Sequence, residues 1–324
     1  MLLDTPTLYF RAFFAIPDSI TAPDGRPVNA VRGTLDFITH LVTHHRPDHL
    51  IACFDADWRP AFRVELLPTY KAHRVVEEVP IVLAPEAGEA GVITGAVSAS
   101  VEEIPDTLSP QVAMLLEVLA AFGIADGWAP GFEADDAIAA YAARHRSSDG
   151  GPVDVVTGDR DMFQLISDDD GVRVFNIARG VAKLEVLGDA ELSAKYGVIG
   201  AQYADFATLR GDASDGLPGV AGIGEKTASA LLAEYGSLTG LLAAAADPAS
   251  AVKPAVRKRI DAALDYLKVA PDVVRVRADA PVTAAEPTLP TAPAHPEELE
   301  ELAERYGLAS PIKRLTKALA AASA

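Results

Sequence analysis

Basic residues are scarce in this chain, and where they are missing says more than how many there are. Lys and Arg total 28 against 46 Asp and Glu, a formal charge of −18 over 324 residues, and from Val75 to Ala143 there is no Lys or Arg at all. A uniformly acidic surface would exclude polyanionic partners, because phosphate binding draws on Lys and Arg. The deficit is local, however: "RVELLPTYKAHR" and "KPAVRKRI" gather basic side chains, so a DNA-binding face is not excluded. Cysteine is nearly absent. The single Cys53 lies in the apolar run "LIACFDAD", which rules out an internal disulfide and a cysteine-based zinc site and reads as a buried small hydrophobe. Long hydrophobic runs are missing as well: 49% of the residues are apolar, yet none of the runs approaches the ~20 residues a membrane span requires. The opening "MLLDTPTLYF" has no basic region followed by an apolar one, so no secretory signal is expected. These absences predict a cytoplasmic protein without a membrane partner, large enough for one domain plus a smaller appendage.

What is present is an alternation of short apolar runs and helical patterns. "MLLD", "HLIACFD" and "VDVVTGD" read as buried strands, and "NAVRGTLDFITHLVTHH" and "PQVAMLLEVLAAFGI" as helices between them. That order predicts a parallel, doubly wound α/β sheet, whose ligands gather beyond the carboxyl ends of the strands. Acids stand at those ends: Asp4, Asp55, and the i, i+2 pair Asp159 and Asp161. The stretch "GFEADDAIAA" adds Glu133, Asp135 and Asp136 just before an apolar helix. Taken alone, these three are an over-capped helix start, since a helix dipole favours a carboxylate by ~0.3–1 kcal/mol, and an aspartate at a strand end is often a turn initiator. Together with the others they form a cluster of like charge that needs a counter-ion. Asp212 and Asp215 in "RGDASDGLPG" form a further pair at i, i+3. All-oxygen donors select Mg²⁺ or Mn²⁺, and two such ions about 4 Å apart are suited to phosphodiester hydrolysis.

In "GLPGVAGIGEKTASALLAEYG", Gly219, Gly222 and Gly224 make a tight loop before a helix expected to begin near Lys226 and Thr227. A glycine loop of this kind is either a helix–helix turn or an anion site of open backbone N–H groups. The fuller pattern reads as a helix-hairpin-helix that tracks a DNA backbone without reading bases.

Five motifs in this order, "LLDTPTLYFRAFFA", "FDADWRPAFRVELLPTYKAHR", "GFEADD", "TGDRDMFQL" and "GDASDGLPGVAGIGEKTA", resemble the 5′-nuclease family. That family comprises the 5′–3′ exonuclease domain of bacterial DNA polymerase I and its free-standing relatives, and is related to the flap endonucleases. The resemblance runs from Asp4 to about Gly236, and more loosely into the C-terminal helices. No polymerase segment follows, so a stand-alone member of actinobacterial type is expected.

The resemblance implies a PIN-like catalytic domain over 1–200 with a helical arch or insertion at about 71–108, and a helical exonuclease region over 201–324 containing the hairpin at 216–236. It makes Asp4, Asp55, Glu133, Asp135, Asp136, Asp159, Asp161, Asp212 and Asp215 metal-site carboxylates for two or three Mg²⁺ or Mn²⁺ ions. Lys71 and Arg74 correspond to basic residues at the base of the arch that draw the scissile phosphate inward. Phe10 matches a position for stacking on a terminal base, with core packing as the alternative. Arg11 follows it without a role of its own. Gly219, Gly222, Gly224, Lys226 and Thr227 fall on the DNA-binding hairpin, where K⁺ can sit on backbone carbonyls. "KPAVRKRI" adds phosphate contacts or is an ordinary solvated face. The implied activity is metal-dependent 5′–3′ exonuclease and flap endonuclease cleavage by a monomer, on DNA with 5′ ends, flaps, gaps or nicks and on RNA–DNA hybrids, in primer removal and repair.

Two rivals are a DNA-binding protein without chemistry and an RNA-directed nuclease lacking the hairpin. The chain departs from its relatives in Thr5, where Gly is usual, and in an acidic insertion from Val75 to about Pro105 that reads as a flexible lid or disordered loop.

Overall fold

The computed structural model describes residues 1–81, 97–102, 105–147 and 150–322. Strands β1 (Leu2–Asp4), β2 (Ile51–Cys53), β5 (Ala125–Gly127), β6 (Val153–Thr157), β7 (Val172–Asn176) and β8 (Glu185–Leu187) form one sheet in the order β5-β2-β1-β6-β7-β8. All neighbours are parallel except β8, which runs antiparallel to β7. The three strands expected from the sequence are its centre. Side chains alternate between two cores, as they must in a sheet covered on both faces. Leu2, Ile51 and Val155 enter one core, and Leu3, Ala52 and Val156 enter the other.

The helices are α1 (Thr5–Ala15), α2 (Asn29–His45), α3 (Ala61–Leu66), α4 (Ser109–Phe122), α5 (Ala134–Ser147), α6 (Asp189–Tyr196), α7 (Gly200–Arg210), α8 (Glu225–Tyr235), α9 (Leu238–Ala246), α10 (Pro254–Ala262), α11 (Leu264–Val274), α12 (Pro296–Tyr306) and α13 (Ala309–Ala322). The helix α2 matches the expected "NAVRGTLDFITHLVTHH", and its apolar Val31, Leu35, Ile38 and Val42 are all buried, at the spacing of one helix face. In α1, Asp4 caps the N-terminus by accepting the Thr7 N–H, with Pro6 in the first turn where its missing donor costs nothing. Helices α12 and α13 return to pack on α4 and α2. Residues 296–322 therefore join the core of the first 200 residues rather than the helical region that follows it.

The acidic insertion is partly ordered. Its ends form β3 (Val75–Ile81) and β4 (Val97–Glu102), paired antiparallel, as runs rich in β-branched residues favour. Residues 82–96 and 103–104 lie outside the described residues. Where a helical arch is implied, the described chain has a single 3₁₀ turn, Ala72–Arg74, leading into this hairpin. Among the described residues no single helix is both long and apolar enough to cross a membrane.

Candidate active site

The acids do meet, at the carboxyl edge of the sheet, but not all in one role. An open cleft of about 680 Å³ is lined by Asp4, Asp55, Glu133, Asp135, Asp159 and Asp212, with Lys71, Arg74 and Arg160 among them. A recess of about 10 Å³, lined by Glu133, Asp135, Asp161 and Asp215, lies beside it. Glu133 and Asp135 face both spaces.

Each acid is placed by local structure. Asp4 ends β1, is 3% exposed, and accepts hydrogen bonds from the Thr157 hydroxyl at 2.5 Å and the Thr7 hydroxyl at 2.5 Å. The strand β2 stops at Cys53, so Asp55 stands two residues beyond it and accepts the Ala134 N–H at 2.8 Å. That bond fastens the start of α5 to the edge of β2. Likewise β6 stops at Thr157. Asp159 and Asp161 therefore lie on a turn, joined by an Asp161 N–H bond to Asp159 at 2.9 Å, instead of alternating along a strand.

Crowding of like charge shows in the protonation of these groups. Desolvation and then Asp4, Asp159 and Glu133 push the Asp135 carboxyl well above the ordinary range, and Asp135 accepts no hydrogen bond among the described residues. Asp161 is raised in the same way by burial, Asp159 and Asp215. Burial raises Asp4 despite its two hydroxyl donors, with Asp159 adding to the effect. Asp55 opens to the cleft yet sits deep among protein atoms, and desolvation with Glu133 pushes it up to about 7.

Three acids are claimed by the protein itself. Both Asp136 oxygens receive the Arg63 guanidinium at 2.7 Å, the Arg277 N–H adds a bond at 2.8 Å and the Glu133 N–H one at 3.3 Å, and Asp136 is fully buried. No lone pair is left for an ion, so the assignment of Asp136 to the metal set is corrected: it is half of a buried ion pair. Glu133 accepts the Tyr70 hydroxyl at 2.7 Å and the Lys71 ammonium at 2.6 Å, with Arg63 at 3.4 Å. It anchors these cations at the edge of the acid cleft, whose two spaces it lines with Asp135. Asp212 accepts the Ser214 N–H at 3.0 Å and Arg210 at 2.9 Å, with Arg160 at 3.5 Å.

Lys71 reaches its place through an unusual backbone. Its φ is +48°, a left-handed conformation that costs a non-glycine residue about 1–2 kcal/mol. There its N–H donates to the Asp215 carbonyl at 3.0 Å. Burial opposes the charge on Lys71, but Glu133 holds its ammonium well above the ordinary lysine range. Arg74 pairs with Asp215 at 3.2 Å.

Phe10 lines the cleft and stacks with Phe14 across 6.5 Å. Phe14 was not singled out from sequence, yet it is 73% exposed on the same wall. An apolar ring held in water at the mouth of a cleft is the signal that composition alone does not carry. Arg11 also lines the cleft and donates to the Ala178 carbonyl at 3.0 Å, so it braces the loop after β7.

The hairpin is built as the glycine pattern requires. Gly219 has φ +65°, and a Cβ there would lie 2.5 Å from the Arg210 carbonyl oxygen. Gly224 caps α8 without a side-chain bond, which leaves the first N–H groups of that helix open beside exposed Lys226. The helix begins at Glu225, one residue before Lys226. In "KPAVRKRI", Arg259 donates to the Gly222 carbonyl at 3.1 Å and Arg257 to the Ser250 hydroxyl at 3.0 Å and the Ala245 carbonyl. These bonds tie α10 to its neighbours; Arg257 is half-buried, while Arg259 stays exposed together with Lys253 and Lys258.

A family model described as the N-terminal, resolvase-like domain of 5′-3′ exonuclease matches residues 1–197, and its C-terminal SAM fold matches residues 198–297. The chain belongs to the 5′-3′ exonuclease family. It is 55% identical to a 5′-3′ exonuclease of Streptomyces coelicolor, over 99% of this chain and 100% of that one. It is 50% identical to one of Mycobacterium tuberculosis, over 98% and 97%. The thermostable DNA polymerase I of Thermus aquaticus is 34% identical over 87% of this chain and 29% of its own length. Among solved structures, the bacteriophage T5 flap endonuclease with DNA and metal ions superposes with a TM-score of 0.60 at 17% identity, covering 100% of this chain and 98% of that one. The catalytic core of Rad2 with DNA substrate gives 0.57 at 14%, covering 99% and 91%. The chain is thus a nuclease of this family, with the flap endonuclease fold.

Proposed function

We propose that the protein is a divalent-metal-dependent 5′-nuclease that engages DNA at a 5′ end, flap, gap or nick, acts on RNA primers in hybrids, and works as a cytoplasmic monomer. The observation that carries this reading is the cleft in which Asp4, Asp135 and Asp159 crowd together with Lys71 and Arg74 alongside. The donor set is entirely carboxylate, and desolvation together with the neighbouring acids raises the pKa of Asp4 and Asp135, as in groups awaiting a cation. Among the described residues no three acids or imidazoles close on a single point, so an ion here would keep several waters, as Mg²⁺ and Mn²⁺ do.

Asp4, Asp135 and Asp159 would face one ion, and Asp161 and Asp215 with Asp135 a second, each in part through the ion's waters; Asp55 and Glu133 set the frame through Ala134 and Lys71. A bound ion supplies a more acidic water and positive charge for phosphate oxygens. The chain supplies the rest. Lys71 stays protonated at neutral pH and acts as a fixed charge for the phosphate, not as a base. Arg74 adds a second cation. Phe10 and Phe14 offer stacking faces to an unpaired base, and the open N–H groups of Gly224, Glu225 and Lys226 grip the duplex backbone. K⁺ would sit on hairpin carbonyls other than that of Gly222, which Arg259 already bonds.

The test is cleavage of a 5′-labelled flap duplex in Mn²⁺, Mg²⁺ or EDTA. Product with either ion and none in EDTA is expected; cleavage that persists in EDTA would sink the reading. Replacing Phe14 by Ala is expected to weaken flap binding by about 1–3 kcal/mol and to leave binding of blunt duplex unchanged, measured by fluorescence anisotropy. Equal losses on both substrates would mean that the ring is structural.

A further inference from the structure

The opposite edge of the sheet carries a second cavity, of about 670 Å³, where Leu2, Ile51 and Val153 begin β1, β2 and β6. Its size falls within the range of small-molecule sites, about 300–1,000 Å³. Its lining combines Tyr141 and the proline Pro287 with Arg46, His49, Arg144 and His145. Arg46 and Arg144 are exposed and make no ion pair among the described residues. Of the two aspartates at its wall, Asp154 is held by Arg173 at 2.7 Å, which leaves Asp48 as the acid opposing these cations. The His49 and His145 rings stand 6.3 Å apart.

Arg46 is also held at a cost. It ends α2 with φ +42°, where α4, α6 and α12 end in left-handed glycines. Only two non-glycine residues among those described have positive φ, Lys71 at the acid cleft and Arg46 at this cavity. Strain retained at a pocket directs attention to the side chain it presents.

We propose that this cavity is a binding site for a nucleoside 5′-monophosphate, with the phosphate on Arg46 and Arg144 and the base against the apolar wall near Tyr141. Two guanidiniums at a rim match a phosphate dianion, and the volume exceeds what inorganic phosphate fills. The site lies away from the acid cleft, and the proposal goes beyond the nuclease reading without depending on it.

The test is isothermal titration of the metal-free protein with deoxyadenosine 5′-monophosphate, deoxyadenosine and inorganic phosphate. The wild type is expected to bind the nucleotide more tightly than either fragment. Arg46→Asn with Arg144→Gln, the asparagine chosen because it tolerates the left-handed turn, is expected to lose about tenfold or more in affinity and to keep flap cleavage. Lys71→Gln with Arg74→Gln, in the acid cleft, is expected to keep nucleotide binding. The proposal is overturned if the nucleotide binds no better than phosphate, if the Arg46 and Arg144 variant binds it equally well, or if the acid-cleft variant abolishes binding.

Discussion

Asp135→Asn should remove flap cleavage by a factor of about 10²–10³ and at the same time make the metal-free protein more stable. The two effects have one cause. Asp135 is raised well above its ordinary 3.8 by desolvation and by Asp4, Asp159 and Glu133, so the folded state binds its proton more tightly than the unfolded chain does. Folding stability then falls as pH rises above the unfolded value, and goes on falling until the folded carboxyl has ionised. Asparagine carries no such penalty. The gain in Tm of the variant over the wild type, read by calorimetry in EDTA, should therefore be absent near pH 3.5 and grow as pH rises toward neutrality. Asp55, pushed up to about 7, places part of the same loss between pH 4 and 7 in the wild type. Added Mn²⁺ should stabilise the wild type by mass action and the variant much less. A variant no more stable than wild type at pH 7 without metal would show that the acids are not strained against one another, and the cation reading would lose its physical basis. Sites of this kind trade stability for chemistry.

The edge of the sheet was legible from sequence because two independent regularities converge there. Buried strands show as short apolar runs, and parallel sheets place ligands beyond their carboxyl ends, so Asp4, Asp55 and Asp159 could be grouped without any knowledge of contacts. Pairings across the chain were not legible. Asp136 reads like Asp135 in "EADD", and only the fold brings Arg63, distant in sequence, against one and not the other. Periodicity explains the difference in part: neighbours on a helix lie about 100° apart, so one of two adjacent acids in the first turn of α5 faces the cleft and the other the core. The same limit hid Lys71 on Glu133 and Arg259 on Gly222. The ends of the insertion, β3 and β4, were not legible for another reason. Acidic composition argued for a loop, while the few β-branched residues in β3 and β4 are too short a signal to outweigh it.

The Arg63–Asp136 pair gives the largest expected effect on stability. Arg63 is 2% exposed and joins α3 to α5 through Asp136, and to the end of α11 through the Val273 carbonyl at 2.9 Å. Removing one partner of a buried ion pair leaves the other desolvated and uncompensated, at a cost of about 3–5 kcal/mol. Arg63→Met should lower the urea midpoint by that amount of free energy. The double variant Arg63→Met with Asp136→Leu should recover most of it, because apolar groups of similar volume do not strand a charge. Asp136→Asn separates the two roles this residue has been given. A structural partner of Arg63 predicts lost stability with Mn²⁺ affinity unchanged for the folded protein, whereas a metal ligand predicts weakened Mn²⁺ binding at little cost in stability. Titration of Mn²⁺ by electron paramagnetic resonance, well below the urea midpoint, reads one quantity, and the denaturation curve reads the other. Since the four hydrogen bonds to Asp136 already occupy both oxygens, the first outcome is expected. The acid next to Asp135 then serves the site by fixing the first turn of α5, which holds Asp135 in the cleft.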